Sequence, residues 1–493
     1  DDQVLTNLNS AAKKNSISSS YSSNTLASFL SRLEYKFNNR YLLTLNFRAD
    51  GSSQFGPDKR WGYFPSGAVA WIITEENFMK DYSNIVSYLK LRGSVGKTGS
   101  QNLGAYDWRT LMGSATYNGA AGIVPSSLGN DILQWEEQIQ KEVGLDYGFW
   151  DDRIRGTLGY YQKKVDNLLY SDPVPTSSSF SSVYQNIGSL KNRGIEFDVR
   201  VDIIKNVQKD LTWNVDFNIA RNRTTLEKLN SSDGYFGGGA YDYFKIEEGG
   251  ETGRFYGYKD AGRLFMTNEE LVGLKTIDPK TGTLKYYRDD YNYERQGDVY
   301  IMDLDGDGQI TADGDRTVIG NANPDFFGGF GSTLYWKGLM LNAVFSYSVG
   351  GDRFWDEEKN SSGDMNVYNT SNRILDSWTV NPGVNASYPR AMYYGWGSNS
   401  IITDRYIHDA SYLRMTALNL SYRLPKHLYK NSILNAVEFT FQATNLFTWT
   451  KYPGMDPQGN FSTTYSAFYN MGIDYSTYPS ARTYNFGIKL TLK

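Results

Sequence analysis

The sequence predicts an all-β fold, and within that class a transmembrane antiparallel β-barrel. Three observations predict it: apolar and polar residues alternate over segments of about ten residues, aromatic residues and glycine are in excess, and the connections between segments sort into tight and long ones.

The alternation appears first on either side of Asn38-Asn39-Arg40, with Phe29, Leu33, Tyr35 and Phe37 before it and Tyr41, Leu43, Leu45 and Phe47 after it. At 139–149, Ile139, Val143, Leu145, Tyr147 and Phe149 oppose Gln140, Glu142 and Asp146. Ile195, Phe197, Val199 and Val201 then oppose Glu196, Asp198 and Arg200. Leu211, Trp213, Val215, Phe217 and Ile219 oppose Thr212, Asn214, Asp216 and Asn218. From 436, Val437, Phe439, Phe441 and Ala443 stand against Glu438, Thr440, Gln442 and Thr444. The last segment sets Tyr484, Phe486, Ile488, Leu490 and Leu492 against Asn485, Gly487, Lys489, Thr491 and Lys493. A period of two places each set on one face of a strand, and about ten residues cross a bilayer as a tilted strand. The polar face carries charges, which suit bulk water or the wet lumen of a wide barrel; a barrel of about 8 strands has no room for them.

Tight connections fall at Asn38–Arg40, Asp151-Asp152 and Arg423–Asn431. Long ones, rich in Gly, Tyr, Asn and Ser, occupy roughly 98–132, 170–186, 222–330, 350–408 and 446–482. Short periplasmic turns and long extracellular loops are the pattern of outer-membrane barrels. No short-period repeat indicates a propeller or solenoid.

Composition agrees. The 493 residues include 39 Tyr, 25 Phe, 11 Trp and 48 Gly, a mix suited to many strands, many turns and amphipathic rings at boundaries between apolar and wet surroundings. Lys and Arg total 50 against 54 Asp and Glu; the net charge of -4 and the dispersed basic residues exclude a nucleic-acid partner. With no cysteine there is neither a disulfide nor a thiolate ligand or nucleophile. The two histidines, His408 and His427, read as ordinary polar residues near turns. No apolar stretch approaches the ~18 residues of a membrane helix.

One motif carries sharp chemistry. Asp303-Leu304-Asp305-Gly306-Asp307-Gly308-Gln309-Ile310 has the spacing of a calcium loop: alternate carboxylates converge, Gly308 permits the turn, and Ile310 anchors by packing. The twelfth position is Gly314 where an acid is expected, so closure falls to the flanking Asp313 or Asp315. The expected ligands of a structural Ca2+ or Mg2+ are Asp303, Asp305, Asp307, Gln309, Asp313 and Asp315; the alternative is an Asp/Gly turn with solvated carboxylates. No organic cofactor is expected, since Gly237–Gly239 and Gly328-Gly329 lack the Lys-Ser/Thr of a phosphate loop. The acid pairs Glu136-Glu137, Asp151-Asp152 and Glu247-Glu248 cannot straddle one glycosidic bond, because neighbours in a strand point to opposite faces. Neither an acid pair nor a nucleophile–base pair is visible, so no enzyme is expected.

Aromatic clusters in the long loops are candidate platforms for sugar faces or peptide side chains: Tyr286, Tyr287 and Tyr291; Tyr393, Tyr394 and Trp396; Tyr465 and Tyr469. Tyr293, Phe468, Tyr475 and Tyr478 stand beside them, and most such rings are expected in a girdle or in loop packing.

Ordered strings then come together. Arg48-Ala49-Asp50-Gly51-Ser52-Ser53-Gln54-Phe55-Gly56 leads into Arg60-Trp61-Gly62-Tyr63-Phe64-Pro65-Ser66, followed by Leu89–Ser94, Trp135-Glu136, Gly144-Leu145-Asp146, Asn186-Ile187-Gly188 and Asn192–Glu196. Phe255-Tyr256-Gly257-Tyr258, Val318–Asn321, Pro324-Asp325-Phe326, Asn445-Leu446-Phe447 and Pro453-Gly454-Met455-Asp456-Pro457 follow. In this order, over nearly the whole chain, the sequence resembles the SusC/RagA-type TonB-dependent transporters of the outer membrane. The resemblance implies a barrel of 22 strands, of which 1–493 is a partial, C-terminal portion without the plug. It also implies a SusD-like surface lipoprotein, contact with TonB through the missing N-terminal part, and import of oligosaccharides or peptides. A companion chain or segment carrying the plug and early strands is therefore expected. The competing readings are a soluble or surface aromatic-rich glycan-binding β protein and a passive porin.

Overall fold

The computed structural model describes residues 21–229, 235–237, 243–265, 276–277, 284–285, 296–308, 310–363, 370–378, 386–391, 399, 401–430, 433–459, 471–475 and 477–492. Thirteen long strands hydrogen-bond in chain order. They are β1 Leu26–Phe37, β2 Tyr41–Ser52, β3 Trp61–Ile72, β4 Val86–Ser100, β5 Glu136–Phe149, β6 Ile154–Asp166 and β7 Gly188–Asn206. β8 Leu211–Leu229, β9 Phe326–Trp336, β10 Leu339–Val349, β11 Tyr412–Arg423, β12 Leu434–Thr450 and β13 Thr483–Leu492 complete the series. Pairing is antiparallel from β1 through β6 and from β8 through β13. β1 and β13 each have one neighbour in this sheet. Lengths run from 10 residues in β13 to 19 in β7 and β8, enough for tilted crossings. β8 continues to Leu229, past the point where alternation alone ends it.

The tight turns have local causes. Asn38 and Asn39 both take positive φ (49° and 57°), as do Asp151 and Asp152 (55° and 59°), and Asn and Asp tolerate that region best after glycine. Lys337-Gly338 closes β9 on β10 with both residues at positive φ, matching the twist of the flanking strands.

The chain divides into two compact units. The first comprises 1–196, 224–234 and 247–250, and holds β1 to β6. Its apolar set stands bare: Phe29, Leu33, Tyr35, Phe37, Tyr41, Leu45 and Phe47 are all exposed. A contiguous apolar surface of this size is lipid-facing in a chain of this kind. The charged set is cross-linked rather than merely solvated. Lys90 meets Asp146 at 3.2 Å, Arg92 reaches both Asp146 and Glu142, Lys97 meets Glu137 at 2.6 Å, and Glu227 is shared by Lys164 and Lys191. All of these pairs bridge neighbouring strands except Lys164–Glu227, which spans β7, so the polar face is a ladder of opposite charges. A polar cavity of about 520 Å³ opens beside it, lined by Arg92, Glu142, Tyr161, Lys163, Asn192 and Glu196.

The second unit comprises 197–223, 235–246 and 251–493, and holds β9 to β13. Its strands show the same bare apolar face, with Phe486 82% exposed and Ile488, Leu490 and Leu492 beside it. Its buried core lies in the long connections. One cluster joins Phe244, Phe255, Ala322, Phe354, Ile402, Tyr406 and Ile473; another joins Tyr258, Leu264, Phe265, Val299, Ile301 and Ile310. Among the described residues, no helix is long and apolar enough to cross a membrane.

Candidate functional site

The acidic turn of the second unit is built onto its core. Ile310 is buried in the cluster with Val299 and Ile301, which fixes one end of the turn as its spacing predicts. Gly306 and Gly308 both take positive φ (77° and 82°), and their N–H groups donate to the two oxygens of Asp303 at 2.7 and 2.8 Å. Asp305 accepts from the Asp307 N–H at 3.1 Å. Asp315 is fully buried and accepts from the Leu304 and Thr311 N–H groups, both at 2.7 Å. A Cβ on Gly314 would lie 2.1 Å from Asp305 Oδ2, so only glycine lets this carboxylate sit there.

One oxygen each from Asp303, Asp305 and Asp315 lies within 4.8 Å of the others. An all-oxygen set fits a hard divalent cation, and Asp315 closes the loop in the place that Gly314 cannot fill. The neighbouring charges tell on Asp305. The Asp307 N–H favours its ionised form, but desolvation and the carboxylates of Asp307, Asp315 and Asp303 outweigh that and raise its pKa. Asp307 and Asp313 are exposed and stand outside the triad, and Gln309 lies outside the described residues.

A second constellation surrounds Glu358, which is buried near the end of residues 356–358. Its carboxylate meets His408 Nε2 and an Arg373 Nη, both at 2.6 Å, and accepts from the Tyr388 hydroxyl at 3.4 Å. Arg373 also lies 4.5 Å over the Trp355 ring. Trp355, His408 and Tyr452 stand with ring centroids 5.9 to 6.3 Å apart. The Tyr452 hydroxyl donates to Asp474 at 2.7 Å, and burial, with that carboxylate, keeps the phenol protonated far above its ordinary range. Tyr243, donating to buried Asp356, is held the same way.

Several of the ordered strings of the first unit meet in one packed junction. Phe55, Phe64, Leu133 and Trp135 bury together, with Phe55 and Trp135 ring centroids 5.1 Å apart and Phe64 edge-on at 5.4 Å. Trp135 Nε1 donates to the Arg60 carbonyl at 2.9 Å. Gly62 and Gly99 lie so close to Phe64 that a Cβ would sit 2.4 and 2.2 Å from its ring. Asn186 ties the junction to β6, donating to the Gln134 and Asn167 carbonyls.

A family model described as "TonB dependent receptor-like, beta-barrel" matches residues 1–392. TonB-dependent receptor P3 of Formosa agariphila is 33% identical over 96% of this chain and 46% of its own length. TonB-dependent receptor SusC of Bacteroides thetaiotaomicron is 32% identical over 95% of this chain and 44% of its own. The solved RagAB peptide transporter superposes with a TM-score of 0.75 at 27% identity, covering 99% of this chain and 50% of that one. The chain belongs to the TonB-dependent receptor-like β-barrel family, which is an outer-membrane family of transporters and receptors, not enzymes. It spans about half the length of the relatives it matches.

Of the residues singled out in the sequence, the structure brings together Asp303, Asp305 and Asp315. The candidate ligand-touching rings Tyr286, Tyr287, Tyr291, Tyr393, Tyr394, Trp396, Tyr465 and Tyr469 all lie outside the described residues, as do Tyr293 and Phe468. Tyr475 and Tyr478 are described, and both are exposed. His408 departs from its reading as an ordinary turn residue, since it pairs with a buried glutamate. Glu358, Arg373 and His408 carry no sequence signal, because no spacing links positions 358, 373 and 408.

Proposed function

We propose that this chain forms wall and outer loops of a TonB-dependent importer of oligosaccharides or peptides. Membership of the family carries this reading, and the two faces of the sheet support it: bare apolar side chains on one and a charged ladder on the other. A peptide importer among the solved relatives supports the peptide class, and the resemblance to SusC-type transporters implies the oligosaccharide class. In this reading a SusD-like lipoprotein captures substrate with the loops of this chain. TonB acts through a plug carried by a companion chain or by a further segment of the same polypeptide. The exposed apolar strands favour this reading over the soluble glycan-binding alternative, and the family favours it over the passive porin.

Within the same reading, Asp303, Asp305 and Asp315 hold a structural Ca2+ or Mg2+ that braces the segment between β8 and β9. The converging oxygens support it.

The deciding experiment is uptake by cells carrying the whole transporter, with and without TonB. Growth on the cognate oligosaccharide or peptide is expected to stop when TonB is removed. Uptake that continues unchanged would overturn import of this type.

A further inference from the structure

We infer that Arg353 is a binding residue for the carboxylate of an acidic ligand, set in an aromatic face of the small sheet formed by residues 352–355, 407–409 and 473–474. This rests on the import reading above and deepens it by naming a substrate class.

The register of the small sheet places the residue. Phe354 is fully buried in the core and pairs with Ile407 and Ile473. Successive strand residues point to opposite faces, so Arg353 and Trp355 stand on the side away from that core. His408 lies directly across from Arg353. The rings of Trp355, His408 and Tyr452 are grouped there, as described above.

What distinguishes Arg353 is its lack of a counter-ion among the described residues. Four other guanidinium groups of this unit reach carboxylates: Arg373 meets Glu358, Arg390 meets Asp298, Arg405 meets Asp260 and Arg414 meets Asp456. Arg353 instead donates from one Nη to the carbonyl of Asp352 at 3.2 Å; its Nε is buried without a hydrogen bond, as are those of Arg390 and Arg405, but those two have a carboxylate beside them. The carboxylates facing it are engaged elsewhere. Asp352 accepts from the Asn321 N–H at 2.8 Å, and Asp474 accepts from the Tyr452 hydroxyl. Tyr412 and Tyr452 are the other groups facing it. Burial lowers the pKa of the guanidinium, as expected where charge is desolvated and not fully compensated.

A largely buried cation with an orphan N–H is costly, and such a group calls for a reason. The residue as a whole is half-buried, and its Nε is buried. A planar carboxylate is the group that takes two guanidinium N–H groups at once, in a bidentate, charge-assisted pair. The adjoining rings offer an apolar surface to the sugar or peptide that carries the acid. A neutral ligand would leave the guanidinium as it stands, so the site discriminates by charge.

The test uses the whole transporter purified in detergent, titrated calorimetrically with two matched pairs of probes. One pair is an oligogalacturonate and its methyl ester; the other is a short peptide with a free C-terminus and the same peptide amidated. At least one acidic probe is expected to bind on the order of tenfold tighter than its neutral twin. The pair that shows the preference identifies the sugar or the peptide as the source of the carboxylate. In R353Q the preference is expected to vanish while the neutral twin binds as before; in R353K it should be weakened but present. Equal binding of acid and neutral twins by the unaltered protein would overturn the site, and so would a preference surviving in R353Q. Uptake with and without TonB is scored on the same variants. TonB-dependent uptake without charge preference sinks the acid site alone, while a charge preference that tracks Arg353 without TonB-dependent uptake sinks import alone.

Discussion

At the scale of single residues, the acidic turn shows how much geometry a few backbone N–H groups fix before any ion arrives. Asp303 and Asp315 each accept two such donors, so their oxygens are aimed whether or not a cation is bound. Asp305 is different. Beyond its contact with the Asp307 N–H, what surrounds it is negative, and its pKa is raised accordingly. A divalent cation would relieve that repulsion, which makes Asp305→Asn the informative substitution: it keeps shape and removes charge. The whole transporter with D305N is expected to lose roughly tenfold or more in Ca2+ affinity, read by terbium luminescence and competition with Ca2+. Unchanged affinity would remove Asp305 from the ligand set.

At the scale of elements, the segment after β12 is clamped by one charge pair. Arg414 on β11 donates to Asp456 at 2.5 Å, and both side chains are buried. Burial alone would raise the Asp456 pKa. The Arg414 guanidinium and the N–H groups of Gln458 and Ser480 outweigh it and hold the carboxyl below its ordinary range. The sign follows from linkage: a group whose folded pKa is depressed contributes stability above its unfolded value near 3.9 and loses it as pH falls through the folded value. Segment 451–459 is therefore expected to stay protected from hydrogen exchange down to about pH 4 and to open below it. D456N should be unprotected throughout. Protection in D456N that still falls below pH 4 would show that another group drives the change. The strands beside this clamp were legible in the sequence, because alternation in Val437–Ala443 and Tyr484–Leu492 is a local signal. The clamp itself was not. Arg414 and Asp456 are 42 positions apart, and only the folded β11–β12 hairpin brings them together. The same holds for Glu358 with His408 and for Arg353, which has no counter-ion among the described residues, whereas the Asp303–Asp307 spacing is written within a few residues.

At the scale of the whole molecule, the governing fact is that, among the described residues, β1 and β13 each pair on one side only. Every residue of β1 is exposed, and so is every residue of β13 except Gly487. In hydrocarbon, each backbone N–H or C=O without a partner costs several kcal/mol, so a sheet open at both edges is not a stable membrane structure. Water would satisfy those groups, but water does not suit Phe29, Leu33, Phe486 and Ile488, which need lipid. We propose that further strands pair with both edges, in keeping with relatives about twice as long. Intact-mass measurement of the assembly extracted from membranes is therefore expected to show additional polypeptide, covalently continuous or tightly bound. Cross-links from cysteines placed at Ser31 and at Lys489 should both reach it. A monodisperse, detergent-stable particle containing only this 493-residue chain would mean that β1 and β13 satisfy each other, and that the wall closes with thirteen strands.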